Sequence, residues 1–305
     1  MLINNEEGLF KLAREKGKLS GKVFLIFSPI ITNILAGFIA TIIFTIIFMI
    51  NIDMKEIIID NLGLNLVITT GSVIFIYFLI LKFKEKRKLS SIGLKVNKRL
   101  IPDYLIGFIF GILMIAIVTV GICLFGGGKI LVNTSFKLNN LPVFLMIIVG
   151  WMVQGASEEI MMRGYMLQGL GIKINPTVAI VISSVFFSAL HLLNNGISIL
   201  SLINLSLFGA FAAFYAIREE SIWGVCALHS AWNFAQGNLF GFLVSGIETG
   251  NSLFIVKLQN DNLINGGSFG PEGGIVTTLV LSLGIAILIY LIKNKNKNRE
   301  LNSIK

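Results

Sequence analysis

Residues 142–167 read PVFLMIIVGWMVQGASEEIMMRGYML, an apolar run that nevertheless contains Glu158, Glu159 and Arg163. A membrane-spanning helix needs about 20 predominantly apolar residues, and this run is long enough. Charged side chains inside a bilayer cost about 2.5–3.5 kcal/mol each on insertion scales, and they usually serve function there. The run therefore predicts a transmembrane helix that carries a polar site.

The rest of the chain has the composition of a polytopic membrane protein. Of its 305 residues, 55% are hydrophobic and only 13% are charged. The apolar runs predict an all-α fold with about eight transmembrane helices. The predicted spans are residues 30–50, 62–81, 104–125, 142–167, 177–194, 197–217, 221–244 and 274–292.

The predicted domain organisation is simple. A juxtamembrane segment, residues 1–22, precedes one transmembrane domain, residues 23–293, and a basic tail follows at residues 294–305. The apolar run that begins at Val23 is too long for a signal peptide. It predicts a first transmembrane helix after an interfacial turn that ends at Pro29. The glycine-rich segment at residues 266–274 predicts a turn that seats the last helix, with no chemistry of its own.

The distribution of charge indicates the orientation. The predicted cytoplasmic segments hold 20 of the 25 lysines and arginines, and the predicted outer loops hold four. Because cytoplasmic loops are enriched in Lys and Arg, this split predicts that both termini are cytoplasmic. The formal net charge of +9 then indicates contact with anionic lipid and no nucleic-acid binding. Richness in Ile, Asn and Lys is typical of AT-rich bacterial genomes, so a bacterial plasma membrane is the expected location.

The polar residues inside the predicted spans are of hydrolytic types. The only two histidines of the chain, His191 and His229, both fall there. Glu159 and Arg163 are four residues apart and share a helix face, so we expect them to pair. Glu158 is turned about 100° away from Glu159. It is therefore expected to meet a histidine of another helix. Low-dielectric surroundings raise the pKa of a carboxylate, which suits a general base near neutral pH.

Two further pairs repeat the four-residue spacing. Phe187 precedes His191, so the phenyl ring is expected to pack beside the imidazole. His229 precedes Asn233, so both side chains are expected to project from one helix face. On the predicted boundaries Glu158 lies in the cytoplasmic half of its helix and His191 near the outer end of the next. Helix tilt, an earlier start of the fifth helix or a broken helix would bring them to one depth.

Three motifs carry a family resemblance: Glu158-Glu159-x-x-x-Arg163, Phe187-x-x-x-His191 and His229-x-x-x-Asn233. In order, spacing and separate helices they resemble the signatures of the CPBP family of intramembrane proteases (CAAX protease and bacteriocin-processing, or Abi). Gly164-Tyr165 after the arginine is also typical of that family. The resemblance covers roughly residues 90–292 and is strongest over the motif core, residues 140–240.

The resemblance implies a membrane-embedded endopeptidase that hydrolyses a peptide or protein substrate at the lipid bilayer. Glu158 and His191 would activate the attacking water, and His229 and Asn233 would stabilise the oxyanion. The family name points to prenylated CaaX tails. In a bacterium, peptide precursors, bacteriocins or tails of membrane proteins are expected instead.

The use of a metal stays open at this stage. Glu158, His191 and His229 would supply three ligands to a zinc ion and leave a fourth position free. A metal-free water activated by glutamate is also compatible with the motifs. No HExxH motif is present, so the metal mechanism lacks its sharpest signature.

Other interpretations of these residues also stay open. Glu159 and Arg163 belong either to the catalytic set or to a structural ion pair. Cys226 precedes His229 by three residues and allows a Cys–His nucleophile, and nearby serines allow a Ser–His dyad; these are Ser157, Ser188 and Ser230. A non-catalytic scaffold or bacteriocin-immunity protein would keep the same fold. An ion-coupled transporter would also bury such groups, but no repeat symmetry indicates one.

Overall fold

The structure is a computed structural model that describes residues 3–14, 17–50 and 61–303. Three of the basic residues that enter the charge count, Lys16, Lys55 and Lys305, lie outside the described residues. Its helices are α1 (Gly8–Arg14), α2 (Lys22–Ile50), α3 (Leu62–Leu79), α4 (Leu100–Leu124), α5 (Leu141–Glu159), α6 (Gln168–Lys173), α7 (Pro176–Ala189), α8 (Ile199–Glu219), α9 (Trp223–Phe234) and α10 (Ile275–Ser303). Two short strands, β1 (Gly128–Val132) and β2 (Phe254–Leu258), pair antiparallel.

Six helical segments of the described residues are long and apolar enough to cross a membrane. They are Lys22–Ile50, Leu62–Glu85, Leu100–Leu124, Leu141–Lys173, Ile199–Glu219 and Ile275–Arg299. The all-α polytopic membrane fold is thus confirmed. The 14 residues of α7 and the 12 of α9 reach only about 21 and 18 Å at 1.5 Å per residue. The count of about eight spans therefore stays a prediction.

The helix that carries the Glu pair is longer than predicted. A π-helical stretch, Ile160–Leu167, joins α5 to α6, so the helical segment runs from Leu141 to Lys173. The side chain of Asn175 then accepts a hydrogen bond from the Val178 N–H, and α7 starts at once with Pro176. The close turn makes these two segments a hairpin.

This hairpin brings Glu158 and His191 to a similar depth, although the predicted boundaries placed them at different depths. Glu158 lies fifteen residues before Lys173, and His191 lies fifteen residues after Pro176. Both therefore lie the same number of residues from the turn, and both line the same cavity. The predicted fourth span ends at residue 167, and the helical segment continues for six residues beyond it, to Lys173.

Other boundaries also differ from the prediction. α2 begins at Lys22, and Pro29 lies inside it rather than in a turn before it. α7 ends at Ala189, so His191 lies in the turn that follows and not within the helix. α9 is likewise shorter than its predicted span, although a π-helical turn, Ala235–Leu239, extends it.

Small residues allow α9 to occupy the centre of the bundle. A Cβ atom on Gly107 of α4 would lie 2.0 Å from the Gly224 carbonyl oxygen of α9, and one on Gly155 of α5 would lie 2.6 Å from the Ser230 nitrogen. Close backbone approach through small residues is the usual way in which membrane helices pack. Every residue of α9 from Gly224 to Phe234 is buried, so its polar side chains face other helices.

Candidate active site

The four residues expected to carry catalysis line one cavity. It has a volume of about 480 Å³ and lies between α2, α3, α5, α8, α9 and the turn after α7. That volume is typical of ligand-binding clefts. Most of the wall is apolar, and its polar or charged members are Asn33, Thr70, Gln154, Ser157, Glu158, His191, Asn194, His229, Asn233, Ser245 and Glu272.

Glu159 and Arg163 lie beneath this cavity rather than in its wall. Both side chains are fully buried, and Arg163 Nη1 donates to Glu159 Oε1 over 2.9 Å. The predicted pair is therefore present. Arg163 Nη2 also donates to the Gly209 carbonyl oxygen over 3.1 Å, and the guanidinium lies 4.9 Å from the centre of the Phe187 ring. The arginine thus ties α5 to α7 and α8.

The same carboxylate oxygen holds His229. The distance from His229 Nδ1 to Glu159 Oε1 is 2.7 Å, which is a short hydrogen bond between α9 and α5. The imidazole is also enclosed by the edges and faces of Phe187 and Phe208, with ring centres 5.9 and 4.8 Å away. The spacing of the motifs did not predict the contact of Glu159 with His229. The spacing of residues along one helix does not reveal which side chains of another helix they contact.

Glu158 occupies the cavity wall above them. Its Oε1 accepts a hydrogen bond of 2.7 Å from Gln154 Nε2. Its Oε2 is buried, has no hydrogen-bond partner among the described residues, and lies 3.6 Å from His229 Nε2. The two adjacent glutamates therefore approach opposite nitrogens of one imidazole. The expectation that Glu158 meets a histidine of another helix is met by His229.

His191 reaches the same cavity from the turn after α7. Its Nδ1 lies 2.9 Å from the Phe187 carbonyl oxygen, and the two rings have their centres 5.0 Å apart. The expected packing of Phe187 beside the imidazole is thus observed. Because a carbonyl oxygen only accepts, Nδ1 carries the proton and Nε2 of the neutral ring is left as an acceptor.

A chain of amides links Asn233 to Glu158. Asn233 Nδ2 donates to Gln154 Oε1 over 2.9 Å, and Gln154 in turn donates to Glu158. Sequence reasoning missed Gln154, although a polar residue one helical turn before Glu158 in an apolar run was a visible signal. It also missed Glu272, since the glycine-rich segment lies far along the chain and outside the predicted spans.

The serine and cysteine side chains considered as alternative nucleophiles make no hydrogen bond to a histidine ring in the described part of the chain. The hydroxyls of Ser157, Ser188 and Ser230 donate to the backbone carbonyls of Gln154, Leu202 and Cys226 over 2.7–2.8 Å. In the described part of the chain neither these hydroxyls nor the buried Cys226 thiol forms a hydrogen bond with an imidazole. The arrangement needed for a nucleophile activated by histidine is not assembled there.

The donor types for zinc are present at Glu158, His191 and His229. Across residues 3–14, 17–50 and 61–303, no three His, Cys, Asp or Glu side chains form a group that could hold a metal ion. Glu158 Oε2 lies 3.6 Å from His229 Nε2, and His191 lines the same cavity. The zinc site predicted at Glu158, His191 and His229 therefore stays a prediction, and the chemistry below uses side chains alone.

Comparison with known proteins agrees with the motifs. Residues 140–235 match the family model described as type II CAAX prenyl endopeptidase Rce1-like. The matched segment contains all three motifs, so the predicted resemblance to CAAX proteases is confirmed over these residues, and it supports a membrane protease of the CAAX type. A comparison with curated proteins found no match.

Proposed function

We propose that this protein is an intramembrane endopeptidase in which Glu158 activates the water that attacks a peptide bond. The observation that carries the proposal is the hydrogen bonding of the two Glu158 carboxylate oxygens. Glu158 lines the cavity, and Gln154 fixes one of its carboxylate oxygens, while the other lies 3.6 Å from His229 Nε2 without a hydrogen-bond donor among the described residues. A fixed carboxylate with a free oxygen is what a general base requires.

His191 is proposed to share that water with Glu158. The bond from Nδ1 to the Phe187 carbonyl leaves Nε2 as an acceptor. As the water oxygen attacks the carbonyl carbon, its proton passes to the Glu158 carboxylate. Glu158 then returns that proton to the departing amine nitrogen, so the glutamate ends each cycle ionised.

His229 and Asn233 are proposed to stabilise the tetrahedral oxyanion. An imidazole with a carboxylate near each ring nitrogen can hold two protons, and the N–H at Nε2 is the proposed donor to the oxyanion. The Asn233 amide has two N–H donors, of which Gln154 takes one. Glu159 and Arg163 act through His229 in this scheme, because they position the ring from below.

The metal-dependent alternative is kept as a second version of the same reaction. If zinc is bound, Glu158, His191 and His229 would hold it, and the ion would supply a water of lowered pKa. Replacement of His229 by alanine would then remove the metal as well as activity. Full activity in metal-stripped protein would exclude the zinc mechanism and support the mechanism that uses side chains alone.

A comparison of membranes tests the proposal. Membranes that contain wild type or Glu158→Ala are analysed by mass spectrometry for new peptide ends in membrane proteins. We expect a set of ends that is present only with wild type. A non-catalytic scaffold would give the same ends in both, and that result would contradict the proposed activity.

A further inference from the structure

Glu272 is a second carboxylate of the catalytic cavity to which the reaction above gives no task. It lies in the short 3-10 turn Pro271–Gly273 before α10 and is only 9% exposed. It lines the cavity together with Glu158 and His191. No lysine, arginine or aspartate of the described chain lines that cavity, so Glu158 and Glu272 are its acidic side chains, and only His191 and His229 among its lining residues can carry a positive charge.

The Glu272 carboxylate is held by neutral donors on one side only. The Ser245 N–H and hydroxyl donate to Oε2 over 2.7 and 2.8 Å. Within the described residues no cation pairs with the carboxylate, and no donor reaches Oε1. A buried carboxylate without a positive partner is unfavourable, which points to a cation supplied from the cavity.

The backbone around Glu272 is rigid enough to serve as a binding site. Asn204 Nδ2 donates to the carbonyl oxygens of Glu272 and Gly274, both over 2.8 Å, and the Thr277 hydroxyl donates to the Pro271 carbonyl over 2.6 Å. Gly270 has a φ of +96°, and a Cβ there would meet the Leu243 carbonyl oxygen at 2.2 Å. Such fixed geometry reduces the entropy lost when a ligand binds.

We propose that Glu272 determines specificity by binding a lysine or arginine side chain of the substrate near the scissile bond. This inference rests on the proposed protease function. A merely structural role for Glu272, as an acceptor for Ser245, makes a different prediction. Glutamine would fill that role equally well, because its amide oxygen also accepts hydrogen bonds.

The test begins with the cleavage sites mapped in membranes. A peptide that spans one such site is synthesised with Lys, acetyl-lysine, Gln or Glu at each position near the cleaved bond. Cleavage is then measured in liposomes with wild type, Glu272→Gln and the control Thr277→Val. The control weakens the same turn but leaves the carboxylate in place.

At one position, wild type should cleave the Lys peptide about 10-fold to 100-fold faster, as kcat/KM, than the acetyl-lysine or Gln peptide. Glu272→Gln should lose that preference, and Thr277→Val should keep it. If Glu272→Gln fails to fold, Glu272→Asp retains the charge and should keep the preference.

Three results would overturn the inference. The first is that wild type shows no preference for Lys at any position. The second is that Glu272→Gln keeps the preference, and the third is that Thr277→Val loses it. An absence of any cleavage that depends on Glu158 would be different, because it would remove the proposed function together with this inference.

Discussion

Two identical side chains on consecutive residues meet opposite surroundings at positions 158 and 159. Glu159 is fully buried and shares one oxygen between Arg163 and His229. Glu158 is partly exposed to the cavity and keeps one oxygen free of protein donors. The 100° between successive helix positions thus separates a positioning carboxylate from a reacting one.

Replacement of Glu159 tests whether this carboxylate positions other side chains while Glu158 reacts. Glu159→Gln leaves the buried guanidinium of Arg163 without its charge partner, and breaking a buried pair costs about 3–5 kcal/mol. We expect a lower thermal transition in detergent as well as reduced cleavage. Glu158→Gln is the matched comparison, and an equal loss of stability in both variants would contradict the division.

Asn233 allows a second residue-scale prediction. If its free amide N–H stabilises only the oxyanion, Asn233→Ala should lower kcat by about 10²–10³ with little change in KM. The alanine also leaves Gln154 without one donor, so the position of Glu158 must be checked. A Gln154→Ala variant with the same kinetic loss would show that the amide chain, and not oxyanion contact, is responsible.

At the scale of elements, the site depends on how closely α5 approaches α9. Gly155 precedes Glu158 by three residues and faces Ser230, the neighbour of His229 in the chain. The motif spacing predicted which residues share a helix face, and the structure agrees for Glu159 with Arg163. Spacing could not predict the contact of Glu159 with His229 or the end of helix α7, since both are set by packing between helices.

A glycine replacement measures that packing. A Cβ on residue 155 would lie 2.5 Å from Ser230 Oγ and 2.6 Å from Ser230 N, so Gly155→Ala must move α9 away from α5. Overpacking of this kind costs about 1–3 kcal/mol, and we expect loss of cleavage through a wider gap to His229. Gly37→Ala on α2 is the control, because a Cβ there meets nothing within 4 Å. Equal behaviour of the two variants would contradict the packing account.

At the scale of the whole molecule, the N-terminal segment and the end of α10 lie side by side. Arg299 Nη1 lies 3.6 Å from Glu7 Oε2, and both Arg299 and Lys295 contact Glu220 at the end of α8. Hydropathy correctly predicted the membrane class, and the common side that charge predicts for the termini stays a prediction. Hydropathy and charge did not predict that the glycine-rich turn at residues 266–274 adds Glu272 to the cavity, because no local pattern in it indicates contact with distant helices.

The orientation of this face in the membrane is a further prediction. With 20 basic residues in predicted cytoplasmic segments and four in outer loops, we expect both termini to be cytoplasmic. Epitope tags at each terminus should be protected from protease in intact cells and cleaved after permeabilisation. One tag accessible from outside in intact cells would contradict this topology.

The central claim is that Glu158 activates the water, and one reconstitution tests it most directly. Wild type and Glu158→Gln are purified, placed in liposomes and given a peptide that spans a cleavage site mapped in membranes. Glutamine keeps the size of the side chain and its contact with Gln154, but it cannot accept the proton of the water. The account predicts that the thermal transition is nearly unchanged while cleavage falls below detection. Cleavage by the folded Glu158→Gln variant at a rate near that of wild type would contradict it.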